Sequence, residues 1–487
     1  MLTRLLGFVF KIYLSRVIST ETLGIYSIVI SIYMVFVTIL SAGLPLTISK
    51  YTASDKVSNN KSHTYSIVSS GLKIEILISI ILVLLIFIFK PLFITLLGYK
   101  ESYYLLLSMI PAILATAIYS PFKGYLWGEE KYFRVSIVEF IEQIIKILLL
   151  IIFTTLNMNI SSLLPIGITI SISCVLSTII GITFYFAMGG RLNIKSKQYK
   201  EILSSSIPLT TTRFFGSLIH PTISIILPFM LISIGYTKSQ ALSMLGIAMG
   251  MTFPLLTIPS TLIGSLSMVL IPEIASMLES GNTRSMTRQI NSSVLFTICC
   301  SFICIPILMG LSEPICMLLF NNIEAGIYLK YSAWTILPTG LSSISTSILN
   351  SLGKEKYTFK YFIISTIITI IIIFTAPLFA GIHSLFIALG VGMTITFILN
   401  NRMINKTLNI KHTYIKQILI LLLITIPTTL LSMWLYNIFL IMYGNLFALI
   451  ISATITLMCF VLLLISFNII DIRIIFENIS NRKVKTH

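Results

Sequence analysis

Long apolar stretches recur along the whole chain and are separated by short polar segments. Many run for about 18 to 25 residues, and such a helix crosses about 30 Å of hydrocarbon. A lipid-exposed sheet would have to close into a barrel, which reads as short alternating segments that are not seen here. The pattern predicts an all-α integral membrane protein with about 14 transmembrane helices. Their predicted ranges are 2–18, 24–49, 71–96, 102–122, 133–155, 162–188, 203–232, 241–271, 291–311, 326–351, 359–379, 382–401, 415–435 and 443–467.

Composition agrees with a membrane protein and leaves no room for a soluble domain. The chain of 487 residues is 56% hydrophobic and 10% charged, and its mean hydropathy is +0.99. A soluble domain has roughly 25% charged residues. The six cysteines lie in or near apolar stretches without metal-ligand spacing, so we predict apolar packing for them and no metal or other cofactor.

The distribution of lysine and arginine predicts the orientation of the chain. With the N-terminus in the cytoplasm, 25 of the 33 cations fall on the cytoplasmic side, four fall outside and four lie within spans. Such a bias follows the positive-inside rule. It predicts a multi-pass membrane protein with both termini in the cytoplasm. The net charge of +17 is then mostly topology, and because the cations are spread over short segments we predict no nucleic-acid partner.

Three pairs of short stretches match at similar offsets and predict an internal repeat. TRLLG at 3–7 resembles TRFFG at 212–216, and LPLTISK at 44–50 resembles IPEIASM at 271–277. GEEKYF at 128–133 resembles GKEKYTF at 353–359. We therefore predict two six-helix lobes in a parallel repeat, at 1–195 and 196–410, then two C-terminal helices at 411–470 and a cytoplasmic tail at 471–487. Transporters built this way bind substrate between the lobes and alternate its access.

The first predicted span carries cations that are costly in a membrane. A charge near the bilayer centre costs about 2.5–3.5 kcal/mol and usually faces a bundle interior or a wet cavity. Arg4 and Lys11 are two helical turns apart and share a face, Arg16 lies further round, and Arg213 is the repeat partner of Arg4. We predict a cationic cavity for an anionic substrate, since arginine matches phosphate geometry. The alternative is that Arg4 snorkels to the cytoplasm and Lys11 makes a structural pair.

The same repeat bears on the start of the chain. Span 7 has about ten mostly apolar residues before Arg213, whereas only three residues precede Arg4. We expect either that the natural chain begins upstream of Met1 or that span 1 is truncated.

Acidic residues inside the predicted spans are few. Glu139 and Glu142 are the only acids that the predicted boundaries place well inside a span, and they share a helix face with Lys146. Glu142 and Lys146 are spaced for an i,i+4 ion pair. We favour a structural ion pair, and the alternative is a proton or sodium site that couples transport. His220 could titrate near neutral pH, but beside Pro221 we favour a structural role.

The first fifty residues resemble a known family. R-x-L-G-F at 4–8, the cation at 11, L-S-R at 14–16, G-x-Y at 24–26 and above all A-G-L-P-L-x-I-S-K at 42–50 are similar to the stage V sporulation protein B family. These are polysaccharide-type flippases of the multidrug/oligosaccharidyl-lipid/polysaccharide exporter superfamily. Related lipid II flippases carry two arginines in the first helix. Arg4 matches the first, and Lys11 stands one position after the second.

The resemblance implies a function as well as a fold. It implies a flippase, without enzymatic chemistry, that moves an undecaprenyl-linked anionic glycan precursor such as lipid II across the bacterial plasma membrane for spore cortex peptidoglycan. Its partners would be the lipid-linked oligosaccharide, membrane lipids and a coupling H+ or Na+. The alternatives are a drug/cation antiporter of the same superfamily, a membrane glycan polymerase and a non-transporting scaffold.

Overall fold

A computed structural model describes residues 2–97, 100–156, 163–193, 195–280, 283–408 and 414–467. Regular structure in these ranges is entirely helical, which confirms the predicted all-α class. The chain packs as two compact units, Met1–Gly250 and Met251–His487. The predicted cytoplasmic tail at 471–487 lies outside the described residues.

The first unit contains twelve α-helices within its described part. They are α1 (Leu2–Val17), α2 (Thr20–Ser41), α3 (Leu44–Ser58), α4 (Lys61–Ile88), α5 (Lys90–Leu97), α6 (Lys100–Ser108), α7 (Ile110–Gly128), α8 (Tyr132–Thr155), α9 (Leu164–Ala187), α10 (Tyr199–Ser217), α11 (Ile219–Ser233) and α12 (Lys238–Leu245). A π-helical segment, Gly246–Thr252, follows directly. Helix α7 packs against α3, α4 and α9, whereas α2 packs against α10, α11 and α12.

The second unit begins at Met251, within this π-helical segment. Its helices are α13 (Phe253–Glu279), α14 (Thr283–Gly310), α15 (Ser312–Phe320), α16 (Ile323–Ser332), α17 (Ile336–Ser351), α18 (Glu355–Thr375), α19 (Pro377–Ala380), α20 (Ser384–Leu408) and α21 (Ile415–Ser466). Helix α17 is central, because it packs against α13, α14, α18 and α20.

Two predicted spans are interrupted helices. The span at 24–49 is two helices, because α2 ends at Ser41 and α3 begins at Leu44 with a proline in its first turn. Pro45 has no N–H to donate to the preceding turn, so it is favoured in the first turn of a helix and disfavours a continuous helix through this point. The span at 203–232 likewise divides between α10 and α11, around Leu218.

Length and composition identify ten helical segments in the described ranges that could cross a membrane. The predicted spans outside this set are explained by their residues. Helices α1 and α17 have 16 residues each, and α8 carries several charges. Helix α21 contains both C-terminal spans, since Gly444 has non-helical dihedral angles inside it. The chain is a multi-pass membrane protein, and the number fourteen stays a prediction.

The core of the first unit lies where α3, α4, α7 and α9 meet. Ile48, Ile67 and Leu126 are fully buried there. The Tyr185 ring packs with centroid distances of 4.9 Å to both Phe122 and Tyr125. Aromatic pairs at this separation add to the stabilisation from burial. These contacts fix the four helices to one another. They also fix the position of α7, which carries polar residues of the candidate site.

The segment that joins α9 to α10 is fastened to α4. The Ser70 hydroxyl donates to Ser196 Oγ at 2.9 Å, and Lys73 Nζ donates to the Ser196 carbonyl at 3.0 Å. The backbone N–H of Asn193 donates to Ser69 Oγ at 2.8 Å. The connection between the predicted lobes is therefore part of the packed structure of the first unit.

Helix α2 approaches the end of the first unit very closely. A Cβ on Gly24 would overlap the Leu242 carbonyl, and one on Gly246 would overlap the Thr20 carbonyl. The Ser239 hydroxyl also donates to Glu21 Oε2 at 2.6 Å. Thus α10 to α12, which the repeat assigns to the second lobe, pack with the first unit. The repeat divides the chain after residue 195, whereas the packing divides it after Gly250. The two six-helix lobes therefore stay a prediction.

Candidate functional site

Helix α1 is fixed by one face and leaves its cations on another. Phe10 and Leu14 are buried, and α1 packs against α8. The Tyr13 hydroxyl shares a hydrogen bond of 2.7 Å with Thr154 Oγ1. Arg4 and Lys11 are both exposed. The apolar contacts with α8 therefore set the rotation of α1 and keep the two cations away from that interface.

Lys11 and the predicted repeat partner of Arg4 lie on helices of the same unit. Protein surrounds the accessible Lys11 side chain closely enough to desolvate its ammonium group. Lys11 also lies close enough to His220 of α11 for the two to interact electrostatically. Arg213 is exposed two turns earlier, on α10. A cation that is accessible and yet surrounded by protein is characteristic of a cavity wall.

The cations of the site fall into two classes. Within the described ranges, Arg4, Lys11 and Arg213 make no hydrogen bond or ion pair with another protein group. Lys123 and Lys146, in contrast, each have a carboxylate partner. Arg16, exposed in the last turn of α1, engages another group of the protein. The first three cations are therefore available to a ligand, and the other two are already neutralised.

Helix α8 holds the two predicted acids, each in an ion pair. Glu142 Oε1 accepts from Lys146 Nζ at 3.3 Å, one turn along the same helix. Glu139 Oε1 accepts from Lys123 Nζ at 2.7 Å, across to α7. Lys123 also lies 4.8 Å from the ring centroid of Trp127. The sequence prediction missed this second pair because it ended the span at residue 122, whereas α7 continues to Gly128.

Glu142 is surrounded by polar groups from a third helix. The Ser177 hydroxyl of α9 donates to Glu142 Oε2 at 3.4 Å, and Cys174 Sγ lies 3.7 Å from Oε1. The Lys146 ammonium also lies 6.0 Å from the centroid of the Phe10 ring on α1. The ion pair on α8 thus links α1, α8 and α9 in the interior of the first unit.

Glu75 is a third acid inside the first unit, and the prediction that only Glu139 and Glu142 lie well inside a span is wrong. The predicted span began at residue 71, so Glu75 fell near its end. The helix begins ten residues earlier, at Lys61, and Glu75 is 1% exposed in its middle. The signal that could have found it is the helix start: Asn60 Oδ1 accepts the backbone N–H of His63 and caps α4.

A second polar cluster lies where α3, α4 and α10 meet. His63 Nδ1 lies 2.9 and 3.0 Å from the two carboxylate oxygens of Asp55, which is buried. The other ring nitrogen lies 3.3 Å from Glu201 Oε2. The Thr64 hydroxyl donates to Asp55 Oδ2 at 3.0 Å. The sequence pattern gave no sign of this cluster, because its members are up to 146 positions apart.

Side chains grouped as metal ligands would mark a metal site in the described part of the chain. No group of three or more His, Cys, Asp or Glu side chains is placed there to hold a metal ion. The arrangement instead offers fixed positive charge at accessible positions and paired charge behind it, which suits reversible binding of an anion.

Three known proteins show which class of protein this is. The chain is 24% identical over 432 residues to Stage V sporulation protein B of Bacillus subtilis (strain 168), covering 84% of the chain and 82% of that protein. The solved structure of lipid II flippase MurJ in an inward closed conformation matches with a TM-score of 0.71 and 16% identity, over 96% of this chain and 98% of that one. An inward-facing multidrug resistance MATE family transporter of the MOP superfamily also matches with a TM-score of 0.71 at 13% identity, over 84% and 95% of the two chains.

These likenesses define a helical membrane protein with the fold of MOP-superfamily transporters, and neither of the two solved structures is an enzyme. More specifically, the chain belongs to the Polysaccharide biosynthesis protein family, whose model matches residues 1–278. The family named from the first fifty residues is confirmed by the sporulation protein.

Proposed function

We propose that this protein flips a polyprenyl-linked anionic glycan precursor across the plasma membrane by alternating access. The proposal rests on one observation, which is that some cations of the first unit have a carboxylate partner and others do not. Arg4, Lys11 and Arg213 are exposed and have no carboxylate partner in the described ranges, whereas Lys123 and Lys146 are paired. Unpaired cations are costly in a membrane, so a role in binding an anion accounts for their presence.

The diphosphate of a lipid-linked sugar fits these groups. An arginine guanidinium donates two parallel hydrogen bonds to phosphate oxygens, and a lysine ammonium adds a point charge. The polyprenyl tail stays in lipid while the head group crosses. Undecaprenyl-linked lipid II is the substrate that we propose first, because a solved lipid II flippase shares the fold. The name of the sporulation relative supports a role in sporulation, and spore cortex peptidoglycan is the use that we propose for the glycan.

The test is exposure of lipid II in the outer leaflet of cells depleted of their own flippase and supplied with this chain. Loss of a hydrogen bond to a charged group costs about 1.5–3 kcal/mol, so R4A and R213A should each lower flipping about 10- to 100-fold. The matched control is R402A, which removes an exposed arginine from α20. Unchanged flipping in a well-inserted R4A/R213A double variant would contradict the cationic site.

The orientation of the chain is part of this proposal. The charge bias places both termini in the cytoplasm, and the head group then enters from that side. Labelling of single introduced cysteines with an impermeant reagent in intact cells checks it. A cysteine at Lys195 should stay unlabelled, and one at Lys238 should react.

A drug/cation antiporter is the second candidate, and one observation favours it. Glu75, Glu139 and Glu142 all lie in the first unit, which is more acid than the sequence alone suggested. Two of these acids are neutralised by lysines, so they are poor sites for a cationic drug. Efflux of a fluorescent cation from cells that carry the chain, with lipid II exposure unchanged, would support this candidate over the flippase.

A further inference from the structure

Glu75 is buried at the break between α2 and α3. Its side chain comes from the middle of α4 and is 1% exposed. Opposite it, the Ser120 hydroxyl of α7 lies 3.4 Å from Glu75 Oε1 and 2.8 Å from the carbonyl oxygen of Leu40. Leu40 is the penultimate residue of α2. The break leaves carbonyls at the end of α2 without the N–H groups of a continuing helix, and Ser120 supplies a donor for one of them.

Counting hydrogens shows in which form Glu75 fits this site. A serine hydroxyl has a single hydrogen to donate, and the shorter contact assigns it to Leu40. Ser120 Oγ then presents only lone pairs to Glu75. Glu75 Oε2 is fully buried and has no hydrogen-bond partner in the described ranges. A carboxylate would face an acceptor and be left without a donor or a cation, whereas a neutral carboxylic acid can donate its own hydrogen to Ser120 Oγ.

The titratable groups of the helices around α4 are engaged elsewhere. On α7, Lys123 pairs with Glu139, and Tyr119 interacts electrostatically with Glu139 and Glu142. Asp55 of α3 and Glu201 of α10 both contact His63, at the start of α4. Lys90 of α5 lies against the Tyr103 ring, and Lys73 of α4 donates to Ser196. Within the described ranges, the group that neutralises Glu75 is therefore a proton rather than a neighbouring cation.

A hard metal ion fits this site less well than a proton. Such ions take about six or more oxygen ligands. The described neighbours of Glu75 supply at most four, namely its own two oxygens, Ser120 Oγ and the Leu40 carbonyl oxygen. No second carboxylate contributes.

We propose that Glu75 binds the proton that couples transport to the opening of the break between α2 and α3. This inference rests on the proposed transport function. With Glu75 protonated, Ser120 donates to Leu40 and holds the end of α2. When Glu75 loses its proton to water, the carboxylate takes the Ser120 hydrogen, and the Leu40 carbonyl loses its donor. Because α2 packs against α10, α11 and α12, release of its end can be transmitted to those helices.

The first test detects the proton directly and needs no substrate. The purified full-length protein in lipid nanodiscs is compared with E75Q by infrared spectroscopy near neutral pH. The wild type should show the carbonyl band of a neutral carboxylic acid, and E75Q should lose it. E324Q, which changes an exposed acid on α16, is the matched control and should keep the band. An identical band in wild type and E75Q would overturn the proposal.

The second test follows the break itself. A cysteine at Ser41, measured against the parent chain with its own six cysteines, reports access to the end of α2. Raising the pH should increase its labelling rate about fivefold beyond the increase that ionisation of the thiol alone brings, the change expected from loss of one ordinary hydrogen bond. This excess is the response. E75Q should abolish the response, and E75D should retain it. A response that persists in folded E75Q, or none in the wild type, would refute the coupling.

These outcomes are separable from the proposed substrate. If the band and the labelling behave as expected but the chain does not expose lipid II, the proton site stands and the proposed substrate is wrong. If the chain flips lipid II and E75Q flips it with the same response to a pH gradient, the flippase stands and Glu75 does not carry the coupling proton.

Discussion

The ion pair between Glu142 and Lys146 can be separated experimentally into a structural and a functional contribution. The two side chains are 24% and 14% exposed, and their charged atoms lie 3.3 Å apart. In the described ranges, K146M leaves Glu142 with Ser177, Cys174 and the side chains of Tyr33 and Tyr119 as polar neighbours, and without its cation. An unpaired charge inside a membrane helix costs about 2.5–3.5 kcal/mol. Protonation of the unpaired carboxylate sets an upper limit on this loss of stability, because neutralising an ordinary glutamic acid at pH 7 requires about 3.7 kcal/mol. We therefore expect K146M to lose about 3 kcal/mol of stability.

The reverse single variant should behave similarly, and the double variant should not. In E142Q the lone Lys146 keeps its contact with the Phe10 ring, which returns about 0.5–1 kcal/mol at most. In E142Q/K146M neither charge remains, and replacing a buried pair by neutral groups is often close to neutral in stability. The double variant should therefore be about 2 kcal/mol more stable than K146M.

The assay is reversible unfolding of the purified protein in mixed micelles, followed by tryptophan fluorescence, with flipping measured on the same variants. A double variant that is less stable than either single variant would refute the ion-pair reasoning. If the double variant is stable and still flips its substrate, the pair is structural. If it is stable and inactive, the alternative role in coupling gains support.

Three further predictions follow from the packing. G246A should fail to give a monodisperse protein in size-exclusion chromatography, because its Cβ would overlap the facing backbone of α2, whereas G264A, which meets nothing within 4 Å, should behave as the wild type. Y185F should lower the free energy of unfolding by about 1 kcal/mol in thermal or detergent unfolding, because its hydroxyl donates a 2.6 Å hydrogen bond. Burial raises the pKa of Tyr414 to about 12. Its contribution to stability should thus be complete below pH 10 and lost as the pH rises toward 12, and Y414F should remove this dependence in unfolding measured across that range.

The fold class was predictable because hydropathy and charge bias report directly on the membrane. The i,i+4 pair of Glu142 and Lys146 was predictable for a similar reason, since helical geometry alone brings the two side chains together. Contacts between helices were not. Lys123 was assigned to a loop because apolar character ends before the helix does, and its contact with Glu139 depends on how α7 packs on α8.

Glu75 shows that hydropathy also does not locate the start of a helix. Hydropathy predicts where the apolar part of a span lies, but the helix that carries Glu75 starts at a polar cap outside that part. Likewise, hydropathy predicted one span at 24–49, and only the structure shows the break before Pro45 and the hydrogen bond from Ser120 to the Leu40 carbonyl beside it. The cost of a charge in a membrane singled out Arg4, Lys11 and Arg213 in the sequence, and their role as a substrate site stays a prediction. Their lack of partners in the described ranges could not be predicted, because it depends on how the helices pack.

The hydrogen bonds that fasten Asn193 and Ser196 to α4 have a mechanical consequence. A flexible connector would let the helices before and after it move independently of each other. Here Ser69, Ser70 and Lys73 of α4 hold the connector in place. The start of α10 is therefore held close to α4. Movement of α10 must then be rotation about a defined pivot rather than free translation. A cut in the backbone at this point should leave the fragments associated, and yet it should uncouple the two halves of the transport cycle.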